Sequence, residues 1–136
     1  MKKKTYPLFY AGQKAKYARS VVVGDLVFVS GATGRSLETG DFTSDEIRGQ
    51  MMVALDNIRG ALEECGSSMD NIVKTVMYLK RLEDYGVMRA TEEDYYRKYA
   101  PSLAEEPPAS TFVQPMSLAR PNMLVEIDVV ACLNDE

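Results

Sequence analysis

The chain has 136 residues, 46% of them apolar and 26% charged, a formal charge of −4 and no histidine. The length suits one domain over residues 1–136, and the composition is that of a globular protein. The acidic balance argues against nucleic acid as a partner, the missing histidine removes Ser-His and Cys-His nucleophile pairs and most zinc sites, and no apolar run reaches the ~20 residues of a membrane helix.

From the N-terminus, Lys2, Lys3 and Lys4 read as a solvated, frayed end. They lack the following apolar core of a secretory signal. "SVVVGDLVFVSG" reads as two β runs joined by a tight turn at Gly24-Asp25. "GATGRSLETGD" is a glycine-punctuated loop, and without a Gly-Lys-Ser/Thr ending it is not a phosphate loop. A helix follows. Thr43 and Glu46 have the spacing of a capping box, and Ile47, Met51, Ala54, Leu55, Ile58 and Leu62 draw one apolar stripe. Gly66 closes the helix. "NIVKTVMYLKRL" is a strand with Val73, Thr75, Met77 and Leu79 on one face, and Ile72, Lys74, Val76, Tyr78 and Lys80 on the other.

A second helix runs from about Asp84, which can cap it, to Tyr99, and Pro101 stops it. Val87, Met88, Thr91, Tyr95 and Tyr99 share one side, with the tyrosines at the core edge. A short strand spans Ser110 to Val113. In "NMLVEIDVVAC", Met123, Val125, Ile127 and Val129 make one face, and Leu124, Glu126, Asp128 and Val130 the other. The order β-β-α-β-α-β-β predicts an α+β two-layer domain with both helices on one face of the sheet. Val76, Tyr78, Leu124 and Val130 are then left uncovered, which predicts an association surface and a closed homo-oligomer. Cys65 and Cys132 match no metal spacing, read as free thiols and suit a reducing cytoplasm.

Glu126 is the residue most open to chemistry. A carboxylate within a β-rich apolar run either faces solvent or sits at a subunit interface, where it can accept a proton or activate water. Ser30-Gly31 ends a buried strand, and glycine there permits close approach of a ligand to the backbone. Arg35, Arg89 and Arg120 are candidate anion anchors.

Three blocks, "YARSVVVGDLVFVSG" at 17–31, "ALDNIRGALEECGSSMDNIVKTVMYL" at 54–79, and "PPAST" with "VEIDVVA" within 107–131, together resemble the RidA/YjgF family, also called L-PSP endoribonuclease-like. The resemblance covers about Tyr17 to Ala131. It implies a chorismate-mutase-like α+β fold, a homotrimer with a central barrel, and ligand pockets in the clefts between subunits. The implied activity is cofactor-free hydrolysis of reactive enamines and imines, such as 2-aminoacrylate, to 2-keto acids and ammonia. The family's pocket tyrosine falls on Tyr17, its serine-glycine on Ser30-Gly31, its water-positioning glutamate on Glu126 and its helix-two asparagine on Arg89. The stretch bearing Ser110, Thr111 and Phe112 becomes the pocket floor. Deaminase members read Pro-Ala-Arg there, and the arginine clamps the substrate carboxylate; this chain reads Pro108-Ala109-Ser110. The expectation is a small metabolite, a small carboxylic acid or related compound, bound between subunits with or without enamine or imine hydrolysis and without standard 2-iminopropanoate deaminase activity, unless Arg35 or Arg89 replaces the missing clamp. A noncatalytic metabolite-sensing or protein-binding regulator is the alternative, and an endoribonuclease ranks below both.

Overall fold

The computed structural model describes residues 2–135. Strands β2 (Gln13–Val23) and β3 (Leu26–Thr33) pair antiparallel across the expected turn at Gly24-Asp25. Ahead of them lies a strand that the sequence reading placed in a frayed terminus. β1 (Lys3–Tyr10) pairs antiparallel with β2, and Lys3 and Lys4 stand opposite Val23 and Val22. The strand bulges around Pro7, which has no N–H to give to a ladder, and its exposed lysines suit an outer edge.

Helix α1 (Ile47–Glu64) buries the predicted stripe. The predicted capping box is absent: Glu46 is the N-cap and makes no side-chain cap bond, while the Ser44 hydroxyl accepts from the Glu46 N–H at 3.1 Å. The C-terminal cap is as expected. Gly66 takes φ +84° and lets the Ser67 N–H reach back to the Leu62 carbonyl at 2.8 Å.

β4 (Ile72–Leu79) departs from plain alternation. A bulge between Ile72 and Lys74 puts Ile72 in the core and leaves Val73 44% exposed, the reverse of the sequence expectation. Helix α2 (Tyr85–Tyr99) follows, and Asp84 does not cap it. Its carboxylate accepts from Arg81 Nε at 3.0 Å instead. Met88, Thr91 and Tyr95 are buried as expected, whereas Val87 is exposed. Pro101 not only ends α2 but also opens a short helix, α3 (Pro101–Glu105), at the position where its missing N–H costs least. β5 (Ala109–Val113) runs parallel to β4, and β6 (Val125–Cys132) pairs antiparallel with both β3 and β4.

The sheet therefore has six strands in the order β1-β2-β3-β6-β4-β5, one more than expected, within the predicted α+β class. The core lies between the sheet and α1 and α2, built from Val27, Met51, Leu55, Ile58, Met77 and Ile127 among others. On the other face Val76, Tyr78, Asp128 and Val130 are half-buried and Phe28 is 45% exposed. Leu124 does not belong to that face: it is buried, 6% exposed, and its carbonyl accepts from the Lys80 N–H.

One fully buried polar side chain links the helix layer to the chain before β6. Gln50 on α1 donates to the carbonyls of Ser44 (3.0 Å) and Asn122 (2.8 Å) and accepts from the Leu124 N–H (2.9 Å). Gln50→Leu keeps the volume and deletes all three bonds. With about 1–3 kcal/mol lost per buried group left unpaired, and water reaching some of them, urea denaturation is expected to show a loss of about 2–4 kcal/mol.

Candidate functional site

The site grows from an irregularity in the sheet. The β3–β6 ladder shifts register between Val29 and Ala32, so Ser30 and Gly31 stand outside regular pairing. Beyond the shift, Glu126 pairs with Thr33 on one side and with Tyr78 on the other. A methyl group added at Gly31 would lie 2.7 Å from the Glu126 carboxyl carbon. The carboxyl thus rests on the Gly31 backbone, and only glycine leaves room for it. Burial pushes the Glu126 carboxyl above the usual carboxylate range, and the charge of Asp128 on the same face adds to the shift.

Glu126 opens into a cleft of about 670 Å³ whose walls include Tyr10, Tyr17, Gly31, Arg35 and Arg120. Tyr17 is 54% exposed there. The Tyr10 hydroxyl is pushed up from its ordinary value by burial and then by the neighbouring Tyr17. Lys14, Lys16, Phe42 and Met123 complete the part of the wall that bears on the chemistry. Arg120 is one of the three arginines that the sequence offers as anion anchors, whereas Tyr10, Lys14 and Lys16 join the site through the β1–β2 hairpin, which the sequence pattern does not reveal.

Two loops bring the arginines in. Arg35 heads the loop at 34–42, which folds back on itself through Ser36 N–H to Asp41 carbonyl (2.8 Å) and Gly40 N–H to Ser36 carbonyl (2.9 Å). Its Nε donates to the Gly40 carbonyl at 2.7 Å, and its guanidinium lies 3.8 Å from the centroid of the Tyr10 ring. The Asn57 amide on α1 donates to the carbonyls of Thr33 (3.3 Å) and Arg35 (2.9 Å) and anchors the base of this loop. Arg120 stands on the segment at 114–124, which Gln50 fastens at Asn122 and Leu124.

The other expected site residues do not line this cleft. The Ser30 hydroxyl donates to the Ala18 carbonyl at 2.6 Å, so it ties β3 to β2. Arg89, Ser110, Thr111 and Phe112 gather at the β4–β5 edge and line no part of the Glu126 cleft. There Arg89 Nη2 and the Thr75 hydroxyl donate to the Ser110 hydroxyl at 3.1 and 2.9 Å. Lys74 Nζ donates to the Thr111 hydroxyl at 2.7 Å, and Phe112 meets the Tyr85 ring edge-on at 5.1 Å. Among the described residues no group of three His, Cys, Asp or Glu side chains could hold a metal ion. The cleft brings into one lining a carboxyl of raised pKa, the tyrosines Tyr10 and Tyr17, and the cations Lys14, Lys16, Arg35 and Arg120.

The raised carboxyl has a consequence for stability. The folded state holds the Glu126 proton more readily than the unfolded chain does. Between the two pKa values the folded state binds more protons, so stability falls as pH rises through that interval. Glu126→Gln is expected to melt above the parent at about pH 7, and the gap is expected to close toward about pH 4. A parent that melts higher at neutral pH would contradict the placement of Glu126.

Comparisons with known proteins agree with this architecture. The model of the family described as Endoribonuclease L-PSP matches residues 11–133. A RutC family protein of Pyrococcus abyssi is 30% identical over 115 residues, covering 85% of this chain and 84% of that protein. The 2-iminobutanoate/2-iminopropanoate deaminase of Escherichia coli is 27% identical over 115 residues, 85% of each chain. A crystal structure of an endoribonuclease L-PSP-type protein from Entamoeba histolytica superposes with a TM-score of 0.82 at 28% identity, covering 97% of this chain and 100% of that one. Fold, sequence and the expected family resemblance meet in one conclusion: the chain belongs to the Endoribonuclease L-PSP family, the RidA/YjgF family of the sequence reading.

Proposed function

We propose that the chain assembles as a homotrimer and binds a small metabolite in clefts between copies, where Glu126 handles the proton or the water of an enamine or imine hydrolysis. The observation that carries this reading is the Glu126 carboxyl, held on Gly31 at the wall of an open cleft. Its pKa is raised by burial and by Asp128, a shift in the direction that favours proton transfer. The half-buried apolar face bearing Phe28, Val76, Tyr78 and Val130 supports the assembly, since a lone copy leaves it wet. Contact between copies also offers the way for the Ser110 group to approach a neighbour's Glu126, because within one copy the two stand apart. The Escherichia coli relative is named as a 2-iminobutanoate/2-iminopropanoate deaminase, which makes those imines the first substrates to try. The two free thiols suit a reducing cytoplasm.

Turnover is expected to be weak with three- and four-carbon imino acids. Position 110 offers a neutral hydroxyl, worth about 0.5–1.5 kcal/mol, where an arginine would give a bidentate, charge-assisted pair. That hydroxyl is already engaged by Arg89 and Thr75. The engagement favours a second reading, a metabolite sensor that binds without turnover.

Generating 2-iminopropanoate in the assay and following ammonia release tests both readings. We expect a rate at least about tenfold below that of the Escherichia coli relative, in line with a loss of about 1.4 kcal/mol or more. The residual rate is expected to vanish in Glu126→Gln. A rate equal to the relative's would overturn the weakened-deaminase reading, and a residual rate untouched by Glu126→Gln would overturn the role of Glu126. A ligand-dependent rise in Tm with no product formed would favour the sensor.

A further inference from the structure

The arginines of this chain fall into two groups. Six are within ion-pair reach of a carboxylate: Arg19 with Glu64, Arg48 with Asp94, Arg59 with Asp56, Arg81 with Asp84, Arg89 with Glu92, and Arg97 with Glu93. Arg35 and Arg120 have no such partner among the described residues, and both line the cleft that holds Glu126. In a chain of net charge −4, both arginines without carboxylate partners among the described residues thus fall in one cleft.

Their local geometry is suited to holding an anion. The Arg35 Nε is used by the Gly40 carbonyl and one face of its guanidinium is covered by the Tyr10 ring, so the plane is fixed. Its two terminal nitrogens donate to no carboxylate or carbonyl among the described residues, with the Tyr10 hydroxyl as a neighbour, and a planar fork held in this way matches a carboxylate. The Arg120 side chain makes no hydrogen bond among the described residues and lies exposed at the rim, while Gln50 fixes the segment that carries it. Lys14 and Lys16 line the same cleft and reinforce the field, against the acids Asp41 and Glu126. By contrast, Arg89 gives Nε to Tyr85, Nη1 to Glu92 and Nη2 to Ser110, so three of its nitrogens are already engaged.

The cleft also sets the size of the ligand. In a single copy the cleft measures about 670 Å³, and Tyr10, Tyr17, Phe42 and Met123 in its walls offer apolar surface to a body larger than a three-carbon acid, whatever part of that volume a neighbouring copy fills. We propose that Arg35 and Arg120 are the anion-binding pair of this chain, and that they select a carboxylic acid with an aryl or branched apolar body. The inference rests on the reading of the Glu126 cleft as the ligand site and names the class of ligand it takes.

Calorimetric titration with phenylpyruvate, its neutral amide and pyruvate tests the pair in the intact protein at low salt. Phenylpyruvate is expected to bind more tightly than either of the others. Arg120→Gln and Arg35→Gln are each expected to weaken phenylpyruvate at least about tenfold and to leave the amide within about twofold, the pattern of a lost charge-assisted bond. Arg48→Gln, which removes the same charge at a remote ion pair, is expected to change nothing. Arg120 is exposed, so its variant keeps the test alive even if Arg35→Gln, which loses the Tyr10 stack, folds poorly. Equal affinity for acid and amide, or an acid affinity unmoved by Arg120→Gln, overturns the pair. If Tyr17→Ala still abolishes binding in that case, the cleft reading survives and only the pair falls. If Tyr17→Ala is also silent, both fall. Failure of phenylpyruvate to bind the parent at all overturns the proposed class.

Discussion

The buried amide of Gln50 is the constraint on which the site depends. A side chain with no exposed surface must satisfy its polar atoms within the fold, and Gln50 does so with one carbonyl before α1 and with the backbone on either side of Met123. Two helical turns later on the same side of α1, Asn57 does the equivalent for Thr33 and Arg35. The loops that deliver Arg35 and Arg120 are thereby fastened to one rigid helix. A shift of α1 relative to the sheet would move both arginines, and Glu126, which sits on the sheet, would not follow. The geometry of the cleft is therefore a geometry of layer packing.

Glu126 shows the opposing demand. Its carboxyl rests against the Gly31 backbone, and burial first, then the like charge of Asp128, raise the free energy of the ionised form. A glutamine would remove that cost and fill the same space. An acid at a position where a neutral side chain would cost less agrees with the role proposed for Glu126.

The parts of the fold legible in the sequence were those set by local periodicity. The stripe of α1, the Gly66 cap and the alternation from Val125 to Val129 each follow from side chains a few residues apart. β1 was not legible because Pro7 bulges it, lysines crowd its start, and the turn into β2 pairs Gly12 at φ +78° with Ala11 at φ +50°, of which only the glycine carries a turn signal. The reversed faces at Ile72 and Val73 come from a bulge, which periodicity does not encode. Within the site, Glu126, Tyr17 and Gly31 were recognisable from their strands and from the family resemblance. The roles of Gln50 and Asn57 were not, because their partners lie up to 74 residues away and are backbone atoms that carry no sequence signature.

The serine at 110 makes physical sense once Arg89 is placed. The Ser110 hydroxyl lies 3.1 Å from Arg89 Nη2, and Arg89 is held there by Glu92, itself buried at 8% exposure and in need of a cation. An arginine at 110 would give up that hydroxyl acceptor and add a second cation to the same exposed edge, so a small neutral acceptor at 110 and an arginine at 89 form a matched pair. Once the cation at the β4–β5 edge is committed to Glu92, an anionic ligand must draw its charge complement from another element. The two arginines without carboxylate partners, on the loops that α1 holds beside Glu126, are the groups placed to supply it.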